Sequence, residues 1–106
     1  MDNDSKGECS DWAAWHDHMP PGPPTLHVTG KCTFPTEGYS VELRPADPQG
    51  INPKIYILER IVHEPTGPVA DVITDVPVHY QEQTDTEYDE VHIQPDDVHV
   101  EVKEVH

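Results

Sequence analysis

Basic residues are scarce in this chain: six Lys and Arg stand against 21 Asp and Glu, and the formal net charge is −15. The segment from Glu82 to Glu104 alone holds nine acidic residues and one lysine. Such a charge repels nucleic acids and anionic lipid, which argues against direct nucleic-acid binding and membrane-surface binding. It suits a cation or a basic protein partner, and in the simplest interpretation it is a solvated surface that keeps a small protein soluble.

Long apolar runs are also missing. No stretch approaches the ~18 apolar residues that cross a membrane, and the acidic start, Met1 to Lys6, lacks the apolar core of a signal peptide. We therefore expect a cytoplasmic protein. The hydrophobic content of 34% allows a small core.

Cysteine is limited to Cys9 and Cys32, too few for a disulfide scaffold. Two free thiols in a reducing compartment are the first expectation. A bridge that pins the N-terminal segment is the alternative.

Catalytic signatures are absent as well. The chain has no Gly-x-Ser-x-Gly, no phosphate-binding glycine loop and no His-Glu-x-x-His. A domain of this size also has little room for a deep pocket. We therefore predict a protein without enzymatic activity.

What the sequence does have is alternation of apolar and polar residues. Val98 to Lys103 alternates without a slip, which indicates a β-strand with one wet face. Weaker copies run back to Leu26, and turn residues separate them. The pattern predicts an all-β domain of six to seven strands, either a small antiparallel β-sandwich of the Ig-like type or a small β-barrel.

The residues of two predicted strands indicate where each strand lies in the sheet. The run from Lys54 to Glu64 has consecutive apolar residues around Ile57, so both faces of this strand are apolar there. That is typical of a central strand that is covered on both faces. Pro77 interrupts the next run, so we expect an edge position or a bulge there.

Residues 1–24 differ from the single domain predicted over 25–106, because they are acidic and end in a Pro-rich run. We expect a flexible tail or a segment strapped onto the sheet. Trp12 and Trp15 fit one helical turn with both indoles on one side. They would either dock a partner or cover an open end of the core.

The last hairpin gives the sharpest prediction. Val91 and Ile93 must share a face with Val98 and Val100, and a four-residue loop from Gln94 to Asp97 then fixes the register.

In that register His92 lies opposite His99, and Glu90 lies opposite Glu101. Opposed Cβ atoms are about 4.5–5.5 Å apart, so the two imidazoles, with the two carboxylates of Glu90 and Glu101 beside them, could bind Zn²⁺ or Cu²⁺. A wet sheet face without a metal is the simpler interpretation, and a two-residue turn would break the pairing.

Two further segments resemble metal-binding fragments. His16-Asp17-His18-Met19 is similar to copper-binding sequences, although a polar linker accounts for it equally. Asp85 to Glu90 has alternate carboxylates but lacks the glycine of a helix-loop-helix calcium loop.

These observations predict a small acidic module, monomeric or a small oligomer, that binds a protein partner or joins an assembly. The candidate contact residues are Trp12, Trp15, Asp85, Glu87 and Glu104. One alternative is an inhibitor that mimics nucleic acid and blocks a basic groove. The other is a metal-binding module that uses the His92–His99 pair.

Overall fold

The computed structural model describes residues 7–106, which form seven β-strands and, within that range, no helix. The strands are β1 (Glu8–Asp17), β2 (Thr25–Phe34), β3 (Ser40–Pro45), β4 (Ile55–His63), β5 (Thr74–Gln83), β6 (Glu90–Gln94) and β7 (Val98–Val105). The all-β prediction is confirmed. Among the described residues there is no helix long and apolar enough to span a membrane.

All seven strands belong to one sheet, in the order β3-β4-β6-β7-β1-β2-β5. The edge strands β3 and β5 contact each other, so the sheet curls into a nearly closed barrel. The small barrel predicted as the alternative therefore describes the architecture, and the Ig-like sandwich is not confirmed. The β4–β6 and β1–β7 pairs are parallel, a difference from the antiparallel sheet expected, because alternation reports faces and not strand direction.

The segment set apart as a tail supplies β1, which lies inside the sheet between β7 and β2. The helical turn predicted around Trp12 and Trp15 is wrong, because these residues belong to the strand. A bulge places Asp11 and Trp12 opposite the single residue Gly30, and Asp11 has a φ of 59°. The bulge shifts the parity of β1, so Trp12 turns into the barrel while Trp15 faces outward.

The core fills the inside of the barrel with alternate residues of the strands. The completely buried side chains include Leu26, Val28, Leu58, Val91 and Ile93. Trp12 packs where β2 has no side chain: a Cβ on Gly30 would lie 2.3 Å from Cε3 of the indole. Gly30 therefore makes room for Trp12.

Cys9 and Cys32 face each other on β1 and β2 and form a disulfide, with Cα atoms 3.9 Å apart. The expectation of two free thiols is wrong, because Cys9 lies on a strand that pairs it directly with Cys32. The bond joins two neighbouring strands of the sheet, which fixes the first half of β1 on β2.

The proline signal agrees with the structure, since Pro77 lies on the edge strand β5. β4 is second from the edge. Its residues Tyr56, Leu58 and Arg60 are buried, while Ile57 is half-buried.

The strand directions define two barrel ends. Strands β1, β3, β5 and β7 finish at one end, where β2, β4 and β6 begin. We call it the His16 end. At the opposite end the buried Arg60 binds Asp96 in a bidentate ion pair, with nitrogen–oxygen distances of 2.6 and 2.9 Å.

Candidate metal centres

Seven of the eight histidines have ring contacts with another histidine. They form three groups. The hairpin cluster is Glu90, His92 and His99; the barrel-end cluster is His16, His18, Glu104 and His106; the outer pair is His27 and His79. In the first two groups, two imidazoles and a carboxylate offer ligand atoms that all lie within 4.8 Å of one another.

The hairpin has the predicted register. His92 pairs with His99 and Glu90 with Glu101, and the four residues from Gln94 to Asp97 connect the last pair, Ile93 and Val98. Val91 is completely buried, so a slip by one residue would expose it and bury the histidines. The apolar positions therefore fix the place of the cluster on the outer face.

The two imidazoles of the hairpin cluster stack, with centroids 3.8 Å apart and planes inclined by 5°. His92 Nε2 lies 2.8 Å from Glu90 Oε1, and His99 Nε2 lies 3.2 Å from Oδ1 of Asp97. The lone pair of an imidazole nitrogen lies in the plane of its ring. In two stacked rings the lone pairs therefore lie in parallel planes and do not point at one common ion. One ring must therefore turn before both bind one ion, which His99 can do because 53% of its side chain is exposed.

The barrel-end cluster is built around a buried histidine. His16 is 1% exposed, and its Nε2 lies 2.7 Å from the carbonyl oxygen of Thr84. A carbonyl only accepts, so Nε2 carries the proton and Nδ1 presents a lone pair in the neutral ring. Among residues 7–106 that Nδ1 has no hydrogen-bond partner, and it lies 3.9 Å from Glu104 Oε1.

The second imidazole of the barrel-end cluster approaches the same carboxylate oxygen. His18 Nε2 donates to Glu104 Oε1 over 2.6 Å. The rings of His16 and His18 are 4.2 Å apart and inclined by 56°, so their lone pairs can converge. His106 stacks on the other side of His18, with centroids 4.6 Å apart.

Strand pairing explains why these residues meet. His16 on β1 is the partner of Glu104 on the parallel strand β7. The ladder continues past the end of β1, because the amide of His18 donates to the carbonyl of Val105 over 2.8 Å. The sequence shows the His-x-His spacing, but only the pairing of β1 with β7 brings Glu104 next to it.

The outer pair lies on the exposed face of β2 and β5. His27 Nδ1 is 3.5 Å from His79 Nε2, and the ring of Trp15 stacks on His27 with centroids 5.1 Å apart. Burial lowers the pKa of His27, the charge of His79 lowers it further, and Asp17 acts in the opposite direction. A neutral His27 is therefore favoured in this row of rings.

A partly buried polar group, Tyr56, Tyr80 and Glu82, also bridges the near-closure of the barrel. The hydroxyls of Tyr56 on β4 and Tyr80 on β5 each donate to Oε1 of Glu82 over 2.5 Å. Burial, chiefly, and the Glu82 hydrogen bond raise the pKa of Tyr80 to about 12. The same two causes raise the pKa of Tyr56. Both hydroxyls thus remain donors, and we assign this group a structural role.

The predicted partner-binding residues are divided among several places. Trp12 packs inside the barrel, whereas Trp15 lies on the outer face. A concave surface at the His16 end is lined by Lys54, Glu87, Tyr88, Asp89, Glu90, Glu101, Val102 and Glu104. Asp85 is exposed on the connection before β6. Most of the predicted acidic residues therefore share one surface.

Comparison with protein families, with curated proteins and with solved structures gives no match. The histidine clusters and the acidic surface are therefore the features that bear on function.

Proposed function

We propose that the protein is a non-catalytic β-barrel module that binds a divalent transition metal ion through the hairpin cluster. The observation that carries this proposal is that Glu90, His92 and His99 offer ligand atoms within 4.8 Å of one another on one hairpin. Imidazole nitrogen and carboxylate oxygen are ligands that Zn²⁺ and Cu²⁺ accept.

The charge around the hairpin cluster favours a cation. Glu90 lies opposite Glu101 in the β6–β7 pairing, and like charges at opposed positions of a sheet are unfavourable. A bound dication relieves this repulsion. The net charge of −15 also attracts cations to the surface.

Zinc titration followed by calorimetry tests this proposal. The wild-type protein should bind Zn²⁺, and His92→Ala and His99→Ala should each remove the hairpin component. His63→Ala is the matched control, because His63 also pairs with a carboxylate, Glu42, at 3.1 Å but stands apart from the clusters. Equal binding by wild type and both hairpin variants would contradict the proposal.

A basic protein partner is a second proposal, supported by the acidic concave surface at the His16 end. Carboxylates of Glu87, Glu90, Glu101 and Glu104 line it together with a single lysine, Lys54. A lysine-rich segment would complement this surface, and its binding should weaken steeply as salt is added. The concave shape of this acidic surface suits the docking of a basic segment. A row of carboxylates at phosphate-like spacing, which mimicry of nucleic acid requires, remains a prediction.

The cytoplasmic location stays a prediction. The Cys9–Cys32 disulfide counts against it, because structural disulfides persist mainly in oxidising compartments.

A further inference from the structure

We propose that the barrel-end cluster is a second metal site, in which His16 Nδ1, His18 Nε2 and a Glu104 oxygen bind Zn²⁺ or Cu²⁺. This site is distinct from the hairpin cluster and does not depend on it, because the two share no residue.

The first argument is the buried lone pair of His16. Polar atoms buried without a partner are rare, because each forfeits its hydrogen bond to water. Among the described residues, Nδ1 of His16 lacks a partner and faces Glu104 Oε1, itself an acceptor, at 3.9 Å. A cation between these two acceptors would satisfy both.

The second argument is the hydrogen bond of His16 to the backbone. A histidine that binds a metal commonly donates its other ring N–H to a carbonyl or carboxylate, which fixes the tautomer and the ring orientation. His16 has that arrangement, since Nε2 donates to the Thr84 carbonyl over 2.7 Å. The lone pair of Nδ1 is thereby held ready towards the cluster.

The ligand atoms of the barrel-end cluster also lie close enough together to bind one ion. Ligand atoms of a tetrahedral Zn²⁺ are roughly 3.3 Å apart at metal–ligand distances of ~2.0–2.1 Å. The Oε1 atom of Glu104 lies 2.6 Å from His18 Nε2 and 3.9 Å from His16 Nδ1, which bracket that spacing. The 56° inclination of the two rings allows both lone pairs to meet, in contrast to the stacked rings of the hairpin cluster.

Metal binding requires a rearrangement of the ring proton of His18. In the metal-free site, His18 Nε2 carries the proton that it donates to Glu104 Oε1. The metal needs the lone pair of Nε2, so that nitrogen gives up its proton: a neutral ring carries the proton on Nδ1 instead, and an imidazolium ring releases one proton to the solvent. No oxidant or reductant takes part.

The site would join three parts of the chain at the His16 end. His16 is on β1, Glu104 is on β7, and the carbonyl that holds His16 belongs to Thr84 on the connection between β5 and β6. Binding to the folded protein alone raises its stability. Metal should therefore raise the unfolding temperature even when the hairpin cluster is removed.

The test uses the full chain with both hairpin histidines replaced, His92→Ala/His99→Ala, and zinc chloride as the titrant. We expect calorimetry to show about one bound equivalent near pH 7. Adding His18→Ala or Glu104→Gln should weaken binding by about tenfold or more. Adding His63→Ala should leave it unchanged.

Circular dichroism and thermal melting of each variant separate lost ligands from lost folding, since His18 and Glu104 lie at the rim of the barrel. Cobalt(II) absorption gives an independent readout, because a four-coordinate site has intense visible bands. The inference is overturned if the folded hairpin variant binds no zinc, or if it binds equally well after His18→Ala and Glu104→Gln. The hairpin proposal is judged separately, by zinc binding to His18→Ala with His92 and His99 intact.

Discussion

A buried imidazole must satisfy two ring nitrogens, and this requirement distinguishes His16 from the other histidines. Its Nε2 has the Thr84 carbonyl, while its Nδ1 faces an acceptor. His99 lies on the surface, where water can serve either nitrogen. The energetic reason to bind a metal is therefore stronger at the barrel end than on the hairpin.

Gly30 is the residue at which the packing of β1 on β2 is most sensitive to a single methyl group. We expect Gly30→Ala to destabilise the protein by about 2 kcal/mol or more, because its Cβ would lie 2.3 Å from Cε3 of Trp12 and a rigid indole cannot yield easily. Gly22→Ala is the control, since no described atom lies within 4 Å of a Cβ there. Urea unfolding measures both, and equal midpoints for the two variants would show that Trp12 can move aside.

At the scale of the element, the hairpin and the first strand differ in how far the sequence could reveal them. The β6–β7 register followed from Val91 and Ile93, which leave one parity for the pairing. The strand β1 carries an apolar residue, Trp15, on its outer face, a bulge at Asp11 and an inward histidine at His16. Each of these breaks the apolar alternation by which a strand is recognised, so the barrel-end cluster could not be assembled from the sequence.

The disulfide offers a test of how much β1 contributes to stability. Removing it with Cys9→Ser/Cys32→Ser should cost about 3 kcal/mol, because it closes a loop between residues 23 apart. Wild type treated with a reductant should show the same lower melting temperature as the double variant, which itself should not respond to reductant. An unchanged melting temperature in the double variant would mean that strand pairing alone holds β1.

At the scale of the whole molecule, the two barrel ends have different chemistry. The end with Arg60 and Asp96 is closed by a buried bidentate ion pair, whereas the His16 end gathers histidines and carboxylates. Between β4 and β5, the hydroxyls of Tyr56 and Tyr80 meet at Glu82 across the near-closure of the sheet. Burial and the Glu82 hydrogen bond raise the pKa of both phenols, so we expect these hydrogen bonds to be lost only at alkaline pH.

We predict that the folded protein loses stability as the pH rises above about 10, and that Tyr80→Phe reduces this loss. Burial and the Glu82 hydrogen bond raise the pKa of Tyr80 to about 12 in the folded protein, from 10.0. Between these values the unfolded chain releases the proton and the folded chain keeps it, so stability falls as pH rises through this window. Urea midpoints at pH 8 and pH 11 measure the slope for wild type, for Tyr80→Phe and for the control Tyr39→Phe, which stacks on Phe34 at the opposite end. The same decline in all three proteins would mean that the phenol of Tyr80 does not control closure of the barrel.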